Sequence, residues 1–167
     1  MNSAGVFLPI EFDKFDMKEW DKTFEINLNA PLLLVEGLQK NLESGASIVN
    51  ISSTDGMTGA ITGIAYSATK AALNNLTQSL ANVLAPKKIR ANAIAPGWIG
   101  DGMQAPKELL KEAALFNPLG KVGSYEEIAN VVSFLLSEKS SYINGTTIIV
   151  DGGDSSTNYL LKKEAEM

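Results

Sequence analysis

The sequence predicts an α/β fold built on a parallel sheet. Three observations point there: three short apolar runs rich in β-branched residues, helix-period segments between them, and clusters of Gly, Pro, Ser or Asp directly after each run. Alternation of strand, helix and strand implies βαβ units with right-handed crossovers. In such sheets ligands bind beyond the carboxyl ends of the strands. The turn-forming clusters all fall there, and the plainer reading of any one of them is a simple turn.

The first helical pattern spans Met17 to Leu42, with Asp16 as its N-cap. Pro31 interrupts it, because proline has no N–H and its ring crowds the carbonyl of residue i−4, which is Asn27. A kink is expected, with the Asn27 carbonyl released from the helix ladder. That carbonyl and the Asn27 amide could hold an ordered water; the alternative is a structural kink with Asn27 facing solvent. Ala46 to Ser52 (ASIVNIS) reads as the first buried strand, and Ala65 to Leu84 as the helix after it. Arg90 to Ala95 (RANAIA) is the weakest of the three strand signals. Helical patterns follow at Pro106 to Phe116 and at Tyr125 to Leu136, the latter opened by a Ser124/Glu127 capping box. Thr146 to Val150 (TTIIV) is the third strand, and Ser155 to Met167 is either a short terminal helix or a frayed end.

The totals exclude several chemistries. With 167 residues, 45% apolar and 20% charged, the chain suits one soluble domain. Its formal net charge of −5 repels phosphate backbones and anionic lipid, so neither nucleic acid nor membrane is an expected partner. It has no cysteine and no histidine. Disulfides, thiolate nucleophiles and a Ser-His-Asp triad are thereby excluded, and no metal site is expected. No apolar run approaches the roughly 20 residues that span a bilayer, and no signal-peptide layout opens the chain. A soluble, cytoplasmic protein is expected, with acid-base work left to Tyr, Lys or a carboxylate.

Tyr66 and Lys70 meet that need. On a helix, residues i and i+4 share a face, so the Lys70 ammonium can sit near the Tyr66 phenol. A nearby cation favours phenolate and would bring a group that normally titrates near about 10 toward working pH. Ser53, at the end of the first strand, supplies a neutral hydroxyl for a substrate carbonyl or alcohol oxygen. Together they read as a proton-transfer site.

Asn27 in FEINLNA, Ser53 in IVNISS, Tyr66 and Lys70 in YSATK, Pro96 and Gly97 in NAIAPGWI, and the closing INGTTIIVDGG resemble the classical short-chain dehydrogenase/reductases. The likeness runs from Asn2 to about Gly153. It implies a Rossmann-like, doubly wound parallel sheet, of which these three strands and their helices would be the C-terminal part. It also implies roles: Tyr66 as general acid or base, Lys70 lowering its pKa and binding the nicotinamide ribose, Ser53 polarising the substrate oxygen, and Asn27 holding a relay water. Pro96, Gly97 and the Ile99 backbone would border the nicotinamide ring of NAD or NADP. The stretch NPLGKVGSYEEIANVVSFLLS resembles the 3-oxoacyl-acyl-carrier-protein reductase and glucose dehydrogenase group. The substrate implied is a small carbonyl or alcohol.

Two departures from the family pattern stand out. Asp101 occupies the place of a threonine whose hydroxyl usually meets the cofactor, and a carboxylate near the pyrophosphate would repel it or require a different loop. Asn2, Ser3, Ala4 and Gly5 resemble the turn that follows the family's fourth strand, yet here they open the chain. Asn2, Ala4 and Gly5 are therefore candidate cofactor-binding residues. Residues 1–153 are expected to form a domain without the first strands and the glycine-rich phosphate cradle, followed by a tail over 154–167. The adenosine half-site is expected to be absent. The competing expectation is an inactive fragment serving as an interaction or oligomerisation module. In either case the resemblance implies a homo-oligomer, dimer or tetramer, formed through the helices at 17–42 and 65–84.

Overall fold

A computed structural model describes residues 1–10, 12–165 and 167. Three parallel strands, β1 (Ser47–Ile51), β2 (Arg90–Pro96) and β3 (Thr147–Val150), pair in that order, with Ser47 opposite Arg90 and Ile94 opposite Ile148. The helices are α1 (Met17–Phe24), α2 (Ala30–Leu38), α3 (Ile64–Leu84), α4 (Lys107–Phe116), α5 (Tyr125–Leu136) and α6 (Tyr159–Ala165). Helices cover both faces of the sheet. Consecutive residues of a strand point to opposite faces, and β1 divides its apolar load accordingly. Ile48 packs with Leu80, Leu84 and Ala91 beneath α3, whereas its neighbour Val49 packs with Ile94, Val132 and Leu135 beneath α5. This is the doubly wound arrangement expected from the sequence.

The weakest strand signal belongs to the central strand. Ala91, Ala93 and Ala95 are fully buried and share one face by the two-residue period. Small side chains there let α3 approach closely, and that requirement diluted the β-branched content on which the sequence reading relied.

The first helix differs from the expected Met17 to Leu42 span. Between α1 and α2, Glu25–Asn29 forms one wide π turn, in which the Ala30 N–H reaches back to the Glu25 carbonyl. Pro31 cannot donate the i+4 bond to Asn27, and the wide turn absorbs the defect between α1 and α2. The helix then stops at Leu38, closed by tight turns from Gln39 N–H to the Glu36 carbonyl and from Asn41 N–H to the Leu38 carbonyl. Asp16 caps α1 through the Lys18 N–H, and Ser124 and Glu127 make both bonds of the capping box on α5. Helix α6 settles part of the tail: Tyr159 packs edge-on against Phe116 at the end of α4, with ring centroids 4.5 Å apart.

Asn2 attaches to the outer edge of β1. Its N–H bonds the Val49 carbonyl, its carbonyl accepts from Ile51 N–H, and its amide donates to Asn50 Oδ1 at 2.7 Å. Residues 3–10 then run from the sheet edge along α3. No helix among the described residues is long and apolar enough to cross a membrane.

Candidate active site

Ser53 sits where β1 hands over to a tight 3-10 turn at Thr54–Gly56. The Ser53 hydroxyl accepts the Asp55 N–H at 3.1 Å, and Gly56 presses the turn onto α3: a Cβ there would lie 2.8 Å from the Lys70 carbonyl carbon. Only glycine permits so close an approach. Ser52 fastens the same junction by donating its hydroxyl to the Lys70 carbonyl at 3.1 Å. The result brings Ser53 within hydrogen-bonding reach of the Tyr66 phenol in the first turn of α3.

Lys70 lies one helical turn beyond Tyr66, 4% exposed, with its Nζ 5.4 Å from the centre of the Tyr66 ring and donating to the Ile51 carbonyl at 2.8 Å. The expected pairing is therefore present. Its expected electrical effect is not. Burial pushes the Tyr66 phenol above its ordinary pKa; the Ser53 hydrogen bond opposes this and the Asp55 charge adds to it. Burial also pulls the Lys70 ammonium down to about 8. Desolvation penalises the charged form of each group, and at this depth it outweighs the attraction counted on from the sequence.

Asn27 does not take the solvent-facing alternative. Its side chain is 1% exposed, so it does not face solvent. Its Oδ1 accepts the Val6 N–H at 2.8 Å while Nδ2 donates to the Val6 carbonyl at 2.9 Å and to Thr69 Oγ1 at 3.2 Å. Thr69 in turn donates to the Tyr66 carbonyl at 2.7 Å. Asn27 thus ties the N-terminal segment to the turn of α3 that carries Tyr66. Thr69 was missed by the sequence reading, since a threonine on a helix carries no signal until its partner is known.

Gly5 opens space directly over the ammonium: a Cβ there would stand 3.5 Å from Asn27 Oδ1 and 3.7 Å from Lys70 Nζ. An ammonium with three donors, one of them spent on Ile51, beside a phenol and under a glycine is a donor set that suits a ribose diol. Ala4 precedes Gly5 on the exposed side, and Asn2 serves the sheet edge.

Pro96 and Gly97 end the neighbouring strand, which Ser52 N–H joins through the Ile94 carbonyl at 2.7 Å. Gly97 N–H bonds the Val150 carbonyl, and its missing side chain lets it pack against Asp151. Ile99 lies further out. Gly123 bonds the Trp98 carbonyl and the Gly100 N–H on either side of it, which turns the Ile99 amide away from Gly123. Asp101 accepts the Tyr125 hydroxyl at 2.5 Å, which anchors its loop to the start of α5. Asn117, unremarked in the sequence, braces the third loop by donating to the Asp151 carbonyl at 2.7 Å.

Two cavities lie apart from the Ser53–Tyr66 pair. One of about 460 Å³ opens at the opposite ends of the strands beside Gly45, Arg90 and Asn144, and one of about 130 Å³ lies between Trp98, Asn117 and Asp151. Neither includes the phenol.

The chain is similar to known proteins over nearly its whole length. The family model described as enoyl-(acyl carrier protein) reductase matches residues 1–155. The 3-oxoacyl-(acyl-carrier-protein) reductase FabG of Aquifex aeolicus is 40% identical over 157 residues, covering 92% of this chain and 63% of that protein. Among solved structures, a 3-oxoacyl-(acyl-carrier protein) reductase with bound NAD from Brucella melitensis superposes with a TM-score of 0.82 at 32% identity, over 91% of this chain and 60% of that one. A short-chain dehydrogenase/reductase described as glucose/ribitol dehydrogenase, also from Brucella melitensis, superposes with a TM-score of 0.87 at 34% identity, over 92% and 63%. The chain spans about three-fifths of the length of these relatives.

Proposed function

The chain belongs to the short-chain dehydrogenase/reductase family, and from that premise we propose that it interconverts a small carbonyl and an alcohol with a nicotinamide cofactor, using Tyr66 as general acid and base. The observation that carries the proposal is the convergence of three groups: the Tyr66 phenol beside Ser53, with the Lys70 ammonium 5.4 Å from the phenol ring. When bound, the reduced cofactor supplies a hydride to the carbonyl carbon. Ser53 donates a hydrogen bond to the carbonyl oxygen, and Tyr66 delivers the proton that completes the alcohol. The raised Tyr66 pKa keeps that proton in place at neutral pH, which is the state reduction requires. Lys70 stabilises the phenolate left behind and offers its remaining N–H groups to the nicotinamide ribose. Asn27 contributes by holding Val6 and Thr69.

Gly5, Pro96, Gly97 and Ile99 are proposed to line the nicotinamide end, with Asn2 and Ala4 fixing the approach of Gly5. The glycine-rich stretches of the described residues belong to the loops near 56–63 and 97–102. A phosphate cradle at a helix N-terminus is therefore not supplied by them, and weak affinity for a free dinucleotide is expected of this chain.

A second reading rests on the exposed leucines of α2, where Leu33 is 65% and Leu34 53% exposed. They favour a role through association, either with copies of itself or with longer relatives across α1–α2 and α3. One experiment separates the readings. The chain is incubated with saturating NADH or NADPH and a panel of carbonyl compounds, and nicotinamide absorbance is followed. Turnover with at least one pair supports the enzymatic reading; no turnover, together with stable association, supports the second.

A further inference from the structure

Among the described residues, Phe7 is the aromatic ring that meets the ring of the proposed general acid, and nothing in the reaction accounts for it. Its ring meets the Tyr66 ring edge-on, with centroids 5.3 Å apart and planes at 68°. On the other side it fills the space of a missing side chain, because a Cβ on Gly63 would lie 2.7 Å from Phe7 Cε2. The segment that carries it is fixed at both ends. Asn27 holds Val6 by two hydrogen bonds, and Ile10 N–H bonds the Thr62 carbonyl at 2.9 Å. Phe7 is therefore a rigid wall rather than a loose loop residue. It nevertheless remains 39% exposed, so part of the ring faces out of the protein beside the buried phenol.

The same short segment treats the two ends of the site in opposite ways. Gly5 leaves the space above Lys70 open, whereas Phe7, two residues later, fills the space beside Tyr66. Open space suits the cofactor's ribose. A filled flank restricts the group attached to the substrate carbonyl.

We propose that Phe7 is a specificity-determining residue that selects carbonyl substrates with a slender, apolar substituent on the Tyr66 flank. The inference rests on the reading of Ser53 and Tyr66 as the carbonyl-binding pair. A phenyl wall offers dispersion contact to an unbranched alkyl or acyl chain, collides with a branched carbon next to the carbonyl, and cannot hydrogen-bond the hydroxyls of a sugar. Within the range of substrates open to the family, this points to the unbranched acyl-chain type and away from polyhydroxylated ones.

The test needs no cofactor. The full chain is titrated with methyl n-propyl ketone, methyl tert-butyl ketone and dihydroxyacetone, and binding is read from the backbone amide NMR signals of Ser53 and Tyr66. Unmodified protein is expected to prefer the propyl over the tert-butyl ketone by about tenfold, the scale of one steric misfit in an apolar pocket. Phe7→Ala should bring that ratio near one by admitting the tert-butyl ketone. Phe7→Leu, which keeps an apolar side chain against Gly63 and protects the fold, should fall between. Ratios in both variants within about twofold of the unmodified protein would overturn the inference while leaving the site intact. Absence of any ketone-induced shift at Ser53 and Tyr66 in every variant would overturn the carbonyl-binding reading, and this inference with it.

Discussion

Lys70 is the residue whose environment matters most. Its ammonium is buried and its pKa falls from 10.5 to about 8, so between those values the unfolded chain binds more protons than the folded one. Stability must then rise with pH across that window, because the burial penalty is full below the folded value and vanishes above the unfolded one. About 2 kcal/mol of added stability is expected between about pH 8 and about pH 10, before Tyr66 begins to oppose it. Urea unfolding at stepped pH should show this rise, and Lys70→Met should flatten it. Activity should move the other way, with reduction slowing as pH climbs through about 8 and Lys70 loses its charge. Asn27→Ala strips partners from the Val6 N–H, the Val6 carbonyl and Thr69 together, so a loss of about 3 kcal/mol is expected, with faster amide exchange at Val6. The proximity of Tyr66, Lys70 and Ser53 was legible in the sequence, since helical spacing and a strand end suffice to bring them together. The direction of the Tyr66 shift was not. It depends on how deeply the pair is buried, and depth is a property of the whole packing.

Single elements place these residues through close backbone contacts. The turn Thr54–Gly56 rests on α3 only because Gly56 has no side chain. Gly56→Ala should force the turn away from α3, destabilise the protein by about 1–3 kcal/mol, and separate Ser53 from Tyr66. Thermal unfolding gives the first effect, and loss of the ketone-induced signal at Ser53 gives the second. The α1–α2 junction shows what a sequence pattern can and cannot convey. Pro31 announced a defect at Asn27, and the defect is there; its form, a single wide turn at Glu25–Asn29 that keeps the helix going, depends on Asn27 finding Val6 and Thr69 across the gap. The apolar strands at 46–52 and 146–150 were visible from their β-branched residues. The central strand was nearly missed because α3 demands alanines from it.

At the scale of the molecule, three parallel strands covered on both faces reproduce about three-fifths of a short-chain dehydrogenase/reductase. Family and fold were legible because several motifs fall in order along the chain, each at a strand end where a parallel sheet gathers its ligands. The exposed leucines of α2 lead to an expectation for the free chain: concentration-dependent association in sedimentation experiments, weakened by Leu33→Glu combined with Leu34→Glu. A sharp monomer at every concentration would argue against those helices as an interface. The central claim, that Tyr66 transfers the proton in a nicotinamide-dependent carbonyl reaction, is tested most directly by comparing turnover of the unmodified chain and Tyr66→Phe at saturating cofactor, with matched circular dichroism as proof of folding. Loss of at least about a hundredfold in kcat with the fold retained is the expected result, and turnover in Tyr66→Phe equal to that of the unmodified chain would contradict it.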